Sequence, residues 1–284
     1  MVYALGLGDD LVGVTHECDW PPEARSKYQV TSSRLPVSAS PGEVDRMVSS
    51  SVGTGQPIYE LDRAAIIELR PDLVISQDLC AVCAVPSGHV NEALQALGCA
   101  AEVLSMDPTS LDDVLDCMLR LGEVSGTSRR ARVLVSHLRD RLDAVSRAVA
   151  RSDRERVFAL EWSDPPFNGG HWIPDMIEVA GGDPVLTSPG APSVRVSWRQ
   201  IAEAAPEVVV FMPCGYDLEA AAAEALGLLD KRELARVRAL YAVDASSYFS
   251  RPGPRLVDGV EILAGALHPG MVRSPPQNAI RRLL

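Results

Sequence analysis

The chain predicts an α/β fold of two Rossmann-like lobes, each with a central parallel sheet, joined by a single long helix with a ligand cleft between the lobes. Two observations carry this. The first is an internal echo: residues 66–76 read Ile-Ile-Glu-Leu-Arg-Pro-Asp-Leu-Val-Ile-Ser, and residues 201–211 read Ile-Ala-Glu-Ala-Ala-Pro-Glu-Val-Val-Val-Phe. Each is a helix end, a proline that stops the helix, an acidic residue and a wholly apolar strand. Such strands belong to parallel sheets covered on both faces. The second is residues 127–150, which contain no glycine or proline and carry Leu134, Leu138, Leu142, Val145 and Val149 at helical spacing with charges between them. At about 1.5 Å per residue this helix rises about 36 Å, roughly the breadth of a lobe. It reads as a rigid strut, with an ordinary surface helix of one lobe as the alternative. The expected division is a first lobe over 1–124, the bridging helix over 125–152 and a second lobe over 153–284.

In chain order, residues 2–7 read as the tail of a helix ending at Gly8, and 11–14 as a strand. A loop over 16–22 precedes a polar, serine-rich region over 32–55 with a short helix near 43–51. Residues 61–70 are helical, 73–76 a strand, 88–97 a helix, 101–104 a strand and 111–123 a helix. The second lobe continues with strand 157–160, helices 174–180 and 197–204, strand 208–211, helix 218–226, strand 240–243 and helix 256–267. Ser197 with Gln200 three residues on makes a capping box. The tail after Pro269 is expected to fray.

The 284 residues, 46% hydrophobic and 23% charged, are enough for two lobes of ordinary size. The formal charge of −11 is spread thinly, without a basic run interleaved with aromatics, so nucleic acid is not an expected partner. No apolar run is long enough to span a bilayer. The opening residues are short and lack a basic flank before Gly-Asp-Asp, so the chain as it stands reads as cytoplasmic. Six cysteines in a chain of this length do not make a disulfide framework, and Cys99 and Cys117 sit in apolar contexts where a thiol packs as a small hydrophobe. A monomer is expected.

The most informative stretch is 161–182, Glu-Trp-Ser-Asp-Pro-Pro-Phe-Asn-Gly-Gly-His-Trp-Ile-Pro-Asp-Met-Ile-Glu-Val-Ala-Gly-Gly. It follows an apolar strand, so it belongs at a strand's carboxyl end, where α/β sheets bind ligands. Glu161, Trp162, Phe167, His171 and Trp172 fall among prolines and glycines that leave the rings little room to form a core. They suit an aromatic wall for a large flat ligand; the alternative is that they cap the sheet edge. Further loops are expected to converge on the same cleft: His16-Glu17-Cys18-Asp19-Trp20, residues 77–83 with Gln77 and Asp78, residues 213–216, and residues 246–252 with Tyr248 and Arg251. Cys80 and Cys83 have the spacing of a redox pair or half a zinc site, for which Cys18, Cys214 and His16 are the remaining weak candidates. Thiols packed beneath a pocket are the alternative. No Gly-x-Ser-x-Gly elbow, His-Glu-x-x-His motif or phosphate loop occurs, and no catalytic residues are assigned.

Three segments carry a resemblance. Tyr-Ala-Leu-Gly-Leu-Gly-Asp-Asp-Leu-Val-Gly-Val-Thr-His-Glu-Cys-Asp-Trp-Pro-Pro-Glu-Ala at 3–24, Arg-Pro-Asp-Leu-Val-Ile-Ser-Gln-Asp-Leu-Cys-Ala-Val-Cys-Ala-Val at 70–85 and Tyr-Phe-Ser-Arg-Pro-Gly-Pro-Arg-Leu-Val-Asp-Gly at 248–259 resemble the cobalamin (vitamin B12)-type substrate-binding proteins of ABC importers. That class, with the class III periplasmic-binding-protein fold, also takes iron-siderophores and haem. The resemblance implies that Gln77 and Asp78 of the first lobe, with Trp162, Phe167, Trp172, Tyr248 and Arg251 of the second, face a corrin ring. It further implies a non-enzymatic protein with no intrinsic cofactor, cobalamin as its bound ligand and an ABC importer permease as its partner. Members of the class begin with a strand before the helix that ends here at Leu7, so the first strand of lobe one is expected to be missing. An extracytoplasmic location is the corresponding alternative. Other readings are an iron-siderophore or haem receptor, and a cytosolic corrinoid- or metal-handling protein that uses Cys80 and Cys83.

Overall fold

The computed structural model describes residues 1–36, 39–54, 58–77, 100–273 and 276–284. The chain divides into two compact units, one of Met1–Asp107 with Arg120–Ala131, the other of Pro108–Leu119 with Arg132–Leu284. The division falls once between Asp107 and Pro108 and twice inside helices, Leu111–Val124 and Ser128–Val149.

The second unit is built on one sheet of six strands, β7 (Arg156–Ser163), β8 (Pro166–Asn168), β9 (Asp183–Pro184), β10 (Val208–Phe211), β11 (Ala239–Val243) and β12 (Ile280–Arg282). Their order is β12-β11-β10-β7-β8, with β9 also paired to β7. β7, β10 and β11 run parallel, with Leu160, Phe211 and Ala242 level across the sheet. All four residues of β10 are buried, the reason this strand reads as an unbroken apolar run. On one face Phe158, Leu160, Val209, Phe211, Leu240 and Ala242 pack with Ile201 of helix Trp198–Glu203 and Leu218, Ala221, Ala222 and Ala225 of helix Leu218–Ala225. On the other, Val157 meets Ile177 and Leu267 around Gly182, and Ala159 meets Ile173 at Gly169. Helices Ile173–Val179 and Arg255–Leu267 therefore cover that face.

The first unit holds three short pairings among the described residues: β1 (Gly13–Val14) parallel to β2 (Tyr28–Gln29), β3 (Thr31–Ser33) antiparallel to β4 (Tyr59–Leu61), and β5 (Leu73–Ser76) parallel to β6 (Glu102–Ser105). The echo is structural. Helix Arg63–Leu69 ends at Arg70 with φ 44°, and helix Trp198–Glu203 is followed by Ala205 with φ 45°, each directly before the proline. A left-handed residue closes the helix and the proline prevents its continuation. The acidic residue that follows then offers its carbonyl to the neighbouring parallel strand: Asp72 O accepts from Glu102 N at 2.9 Å, Glu207 O from Arg238 N at 2.7 Å.

Helix Ser128–Val149 buries Ala131, Val135, Leu138, Val145 and Val149, while Leu134 and Leu142 flank the stripe half-buried. From its flank Arg141 donates to both oxygens of Glu261, at 2.8 and 2.7 Å, and to Asp258 at 2.6 Å. Arg141→Met keeps the stem but leaves two like charges one turn apart. Because both carboxylates are partly exposed, at 39%, the expected loss is about 1 kcal/mol, smaller in high salt, as urea midpoints at two ionic strengths would show.

Four expectations are corrected. Residues 2–7 form a 3-10 turn, Tyr3–Leu5, closed by Gly6 at φ 71°, a position that suits a residue without Cβ. The serine-rich region opens with a strand, because β3 pairs with β4. The aromatic stretch is partly a hairpin: β7 runs on to Ser163 and turns through the cis Asp164–Pro165 bond into β8. The tail ends in a strand, since β12 closes the open edge of β11 in antiparallel register, Tyr241 opposite Arg282. The expected helix 88–97 lies outside the described residues.

Candidate functional site

The strand-end loops of the second unit are tied to one another in a continuous series. Trp162, at the end of β7, stands opposite Phe167 of β8, so the two rings share one side of the hairpin. The Trp162 indole meets Tyr216, in the loop after β10, edge to face, with centroids 6.0 Å apart and planes at 80°. Tyr216 O accepts from Ser246 N at 3.0 Å, joining that loop to the short helix Ala245–Tyr248 after β11. Phe249 O in turn accepts the Trp172 indole N–H at 2.8 Å. Trp162, Phe167, Tyr216 and Tyr248 are half-buried. Arg195 lies over Phe167 at 5.7 Å and Arg255 over Tyr248 at 4.4 Å, as guanidinium groups do on aromatic faces. Cys214 and Arg251 are partly exposed on these loops.

Trp172 is placed differently from the expectation that the prolines and glycines keep the rings from packing. It is only 5% exposed. With its N–H satisfied by Phe249 O, it is a core residue where helix Ile173–Val179 starts.

The other side of the hairpin is clamped by residues 186–196. Asn168, 3% exposed, donates through Nδ2 to Leu186 O at 2.5 Å and accepts Val194 N at 2.6 Å. Ser193 Oγ donates to the Glu161 carboxylate and accepts Gly170 N at 3.1 Å. Thr187 Oγ1 donates to Gly169 O at 2.7 Å. His171, at φ 54°, donates its amide to Ala191 O at 2.6 Å and accepts Gly190 N at 3.2 Å. Glycine is required at 170, where a Cβ would come within 2.2 Å of Ser193 N and 2.5 Å of Pro192 C.

Burial pushes the His171 pKa below its ordinary 6.5. The unfolded chain then binds this proton more tightly than the folded one, so the contribution is complete above about pH 6.5 and is lost as pH falls toward the folded value. His171→Asn, which tolerates the left-handed backbone, is expected to flatten that part of the acid sensitivity. An equal drop in the urea midpoint from about pH 7.5 to about 5.5 in both proteins would refute it.

In the first unit the predicted residues follow the carboxyl ends of β1 and β5. His16 is fixed by its neighbours: Thr31 Oγ1 accepts His16 N at 3.1 Å and bonds Nδ1 at 2.8 Å, Glu17 lies 3.6 Å from Nε2, and the Tyr59 ring is 5.2 Å away. Trp20 is 59% exposed. Cys18 Sγ shares a hydrogen bond with Thr15 at 3.3 Å. Gln77 directly follows β5 and is half-buried. Asp78, Cys80 and Cys83 lie outside the described residues, as does Cys99; Cys117 is buried. Among the described residues no group of three or more His, Cys, Asp or Glu is placed to hold a metal ion, and no helix is long and apolar enough to cross a membrane. Tyr216, Asn168, Ser193 and Arg195 were not singled out from the sequence. Tyr216 and Asn168 stood in stretches already picked out; Ser193 and Arg195 have no local signal.

The periplasmic binding protein family model matches residues 1–242. The chain belongs to this family. This binding protein is 24% identical over 271 residues to the vitamin B12-binding protein of Photorhabdus laumondii, covering 94% of its own chain and 84% of the relative. It is 24% identical over 278 residues to an uncharacterized ABC transporter substrate-binding lipoprotein of Bacillus subtilis, covering 95% and 76%. Its fold is similar to that of a periplasmic heme binding protein from Pseudomonas aeruginosa, with a TM-score of 0.72 and 21% identity, covering 99% and 92% of the two chains. A family of periplasmic binding proteins, with a lipoprotein among the relatives, overturns the expectation of a cytoplasmic protein. That expectation rested on the first few residues, which do not by themselves specify a compartment.

Proposed function

We propose that this binding protein works outside the cytoplasm, without catalysis, and captures a cobalamin-like corrinoid for delivery to an ABC importer. The observation that carries the reading is the set of half-buried rings, Trp162, Phe167, Tyr216 and Tyr248, held on neighbouring strands and strand-end loops of one sheet. Such rings cover the apolar area of a macrocycle, while Arg251 supplies hydrogen-bonding groups for its amide fringe. The likeness to vitamin B12-binding proteins supports the corrinoid over the other macrocycles. No metal or cofactor of the protein's own is needed in this reading; cobalt arrives with the ligand. Cys80 and Cys83 have no part in it.

Equilibrium titration with cyanocobalamin, haemin and a ferric hydroxamate tests this, read by tryptophan quenching and by the visible spectrum. Cyanocobalamin is expected to bind at least about tenfold more tightly than the other two, a preference of about 1.4 kcal/mol. Tighter binding of haemin or of the hydroxamate chelate overturns the corrinoid assignment.

A further inference from the structure

Arg195 has no role so far, and the sheet gives it a definite place. β8 pairs with β7 along one edge, Trp162 opposite Phe167. Along its other edge β8 meets residues 194–196: Asn168 N donates to Val194 O at 3.1 Å, Val196 N donates to Pro166 O at 2.9 Å, and Arg195 stands opposite Phe167 in an antiparallel bridge. Trp162, Phe167 and Arg195 therefore form one row across three neighbouring strand segments. At about 4.8 Å from strand to strand, the row is about 10 Å from end to end.

The two sides of this edge differ. Pro166 and Val196, one step along from Phe167 and Arg195, are buried, Val196 in the sheet's core. Successive residues of an extended chain point to opposite sides, so the row lies on the side away from that core. Exposure rises along it, from the half-buried Trp162 and Phe167 to the exposed Arg195. The Arg195 guanidinium lies over the Phe167 ring, 5.7 Å from its centroid. Stacking of this kind holds the planar group beside the ring and keeps its N–H donors directed outward in its own plane.

A macrocycle that lies against Trp162 and Phe167 thus brings its rim to a permanent positive charge. Guanidinium pairs best with a phosphate or carboxylate and next with an amide carbonyl. A wholly apolar rim finds no partner there. The backbone bonds on both sides of Arg195 fix the point from which its side chain reaches, so little order has to be gained on binding.

We propose that Arg195 is a ligand-contacting residue that ends the aromatic row with a cation and so selects a macrocycle whose rim carries a hydrogen-bond acceptor. This rests on the corrinoid reading above, in which the acceptor is the phosphodiester of the nucleotide arm or a carbonyl of the amide fringe.

The test titrates wild type, Arg195→Lys and Arg195→Met with cyanocobalamin, dicyanocobinamide and haemin, at low and high salt, and melts each protein. Dicyanocobinamide keeps the amide fringe and lacks the phosphodiester. Arg195→Met is expected to weaken cyanocobalamin binding about tenfold without moving the melting temperature. An equal loss for dicyanocobinamide assigns the amide carbonyl. A loss confined to cyanocobalamin, smaller at high salt and largely restored by Arg195→Lys, assigns the phosphodiester. Arg195→Met within about twofold of wild type for both corrinoids overturns the proposal. So does a loss that only parallels a lower melting temperature. If the wild type takes haemin and neither corrinoid, the corrinoid reading alone fails. Haemin, with carboxylates on its rim, then decides on Arg195, and an unchanged haemin Kd in Arg195→Met refutes its role. A wild type that binds none of the three refutes both readings.

Discussion

Trp162→Ala is expected to weaken cyanocobalamin binding about 30-fold while leaving the melting temperature nearly unchanged. A central aromatic anchor is worth about 2 kcal/mol or more when truncated, and about 1.4 kcal/mol corresponds to each factor of ten. Stability is spared because Trp162 is half-buried, meets the Tyr216 ring at the strand end and is not among the buried residues of the sheet's core. Trp172→Phe should do the reverse. That indole is buried, and its N–H is spent on Phe249 O; its loss lowers stability and changes affinity only slightly. The pair of variants separates a ring that faces ligand from one that supports the fold. A Trp162→Ala protein within about threefold of wild type in Kd would remove the aromatic wall from the binding site.

The second large effect concerns stability. Asn168→Ala strips partners from two backbone groups of the 186–196 segment at once, Leu186 O and Val194 N, at a site only 3% exposed. Leaving a buried polar group unmet costs about 1–3 kcal/mol, so a loss of about 2–4 kcal/mol is expected. In a chain of this size that lowers the melting temperature by about 5–10 °C. Asn168→Asp is expected to be no better, since a carboxylate accepts from Val194 N but repels Leu186 O. A change of under about 2 °C for either variant in a calorimetric scan would show that the clamp contributes little.

Much of the architecture was legible along the chain because its causes are local. The paired helix-stop-strand units at Arg70-Pro71-Asp72 and Ala205-Pro206-Glu207 fold as they read, and the structure adds a left-handed residue before each proline. The capping box forms as written, with Gln200 N bonded to Ser197 Oγ at 3.2 Å and Ser197 N to Gln200 Oε1 at 2.8 Å. The hairpin was hidden by its own composition. Pro165 and Pro166 argue for a loop, yet a proline is tolerated as the first residue of a strand, and Pro166 holds that position in β8. The strand Ile280–Arg282 was missed because three residues, two of them arginine, carry no alternation; what makes them a strand is the open edge of β11.

The candidate site divided the same way. Its aromatic residues could be picked out one by one, but not their orientation: Trp162 and Trp172 are ten positions apart in one loop-like stretch, and one is half exposed while the other is core. By itself the sequence determined the two helix-stop-strand units, the capping box and the family to which the chain belongs, because period, caps and proline stops act between near neighbours. Only the tertiary structure decided which rings line a surface and which fill the interior. The groups that settle it come from far along the chain, Phe249 O for Trp172 and Ser246 N for the loop that brings Tyr216 against Trp162. Folding alone brings them within bonding distance.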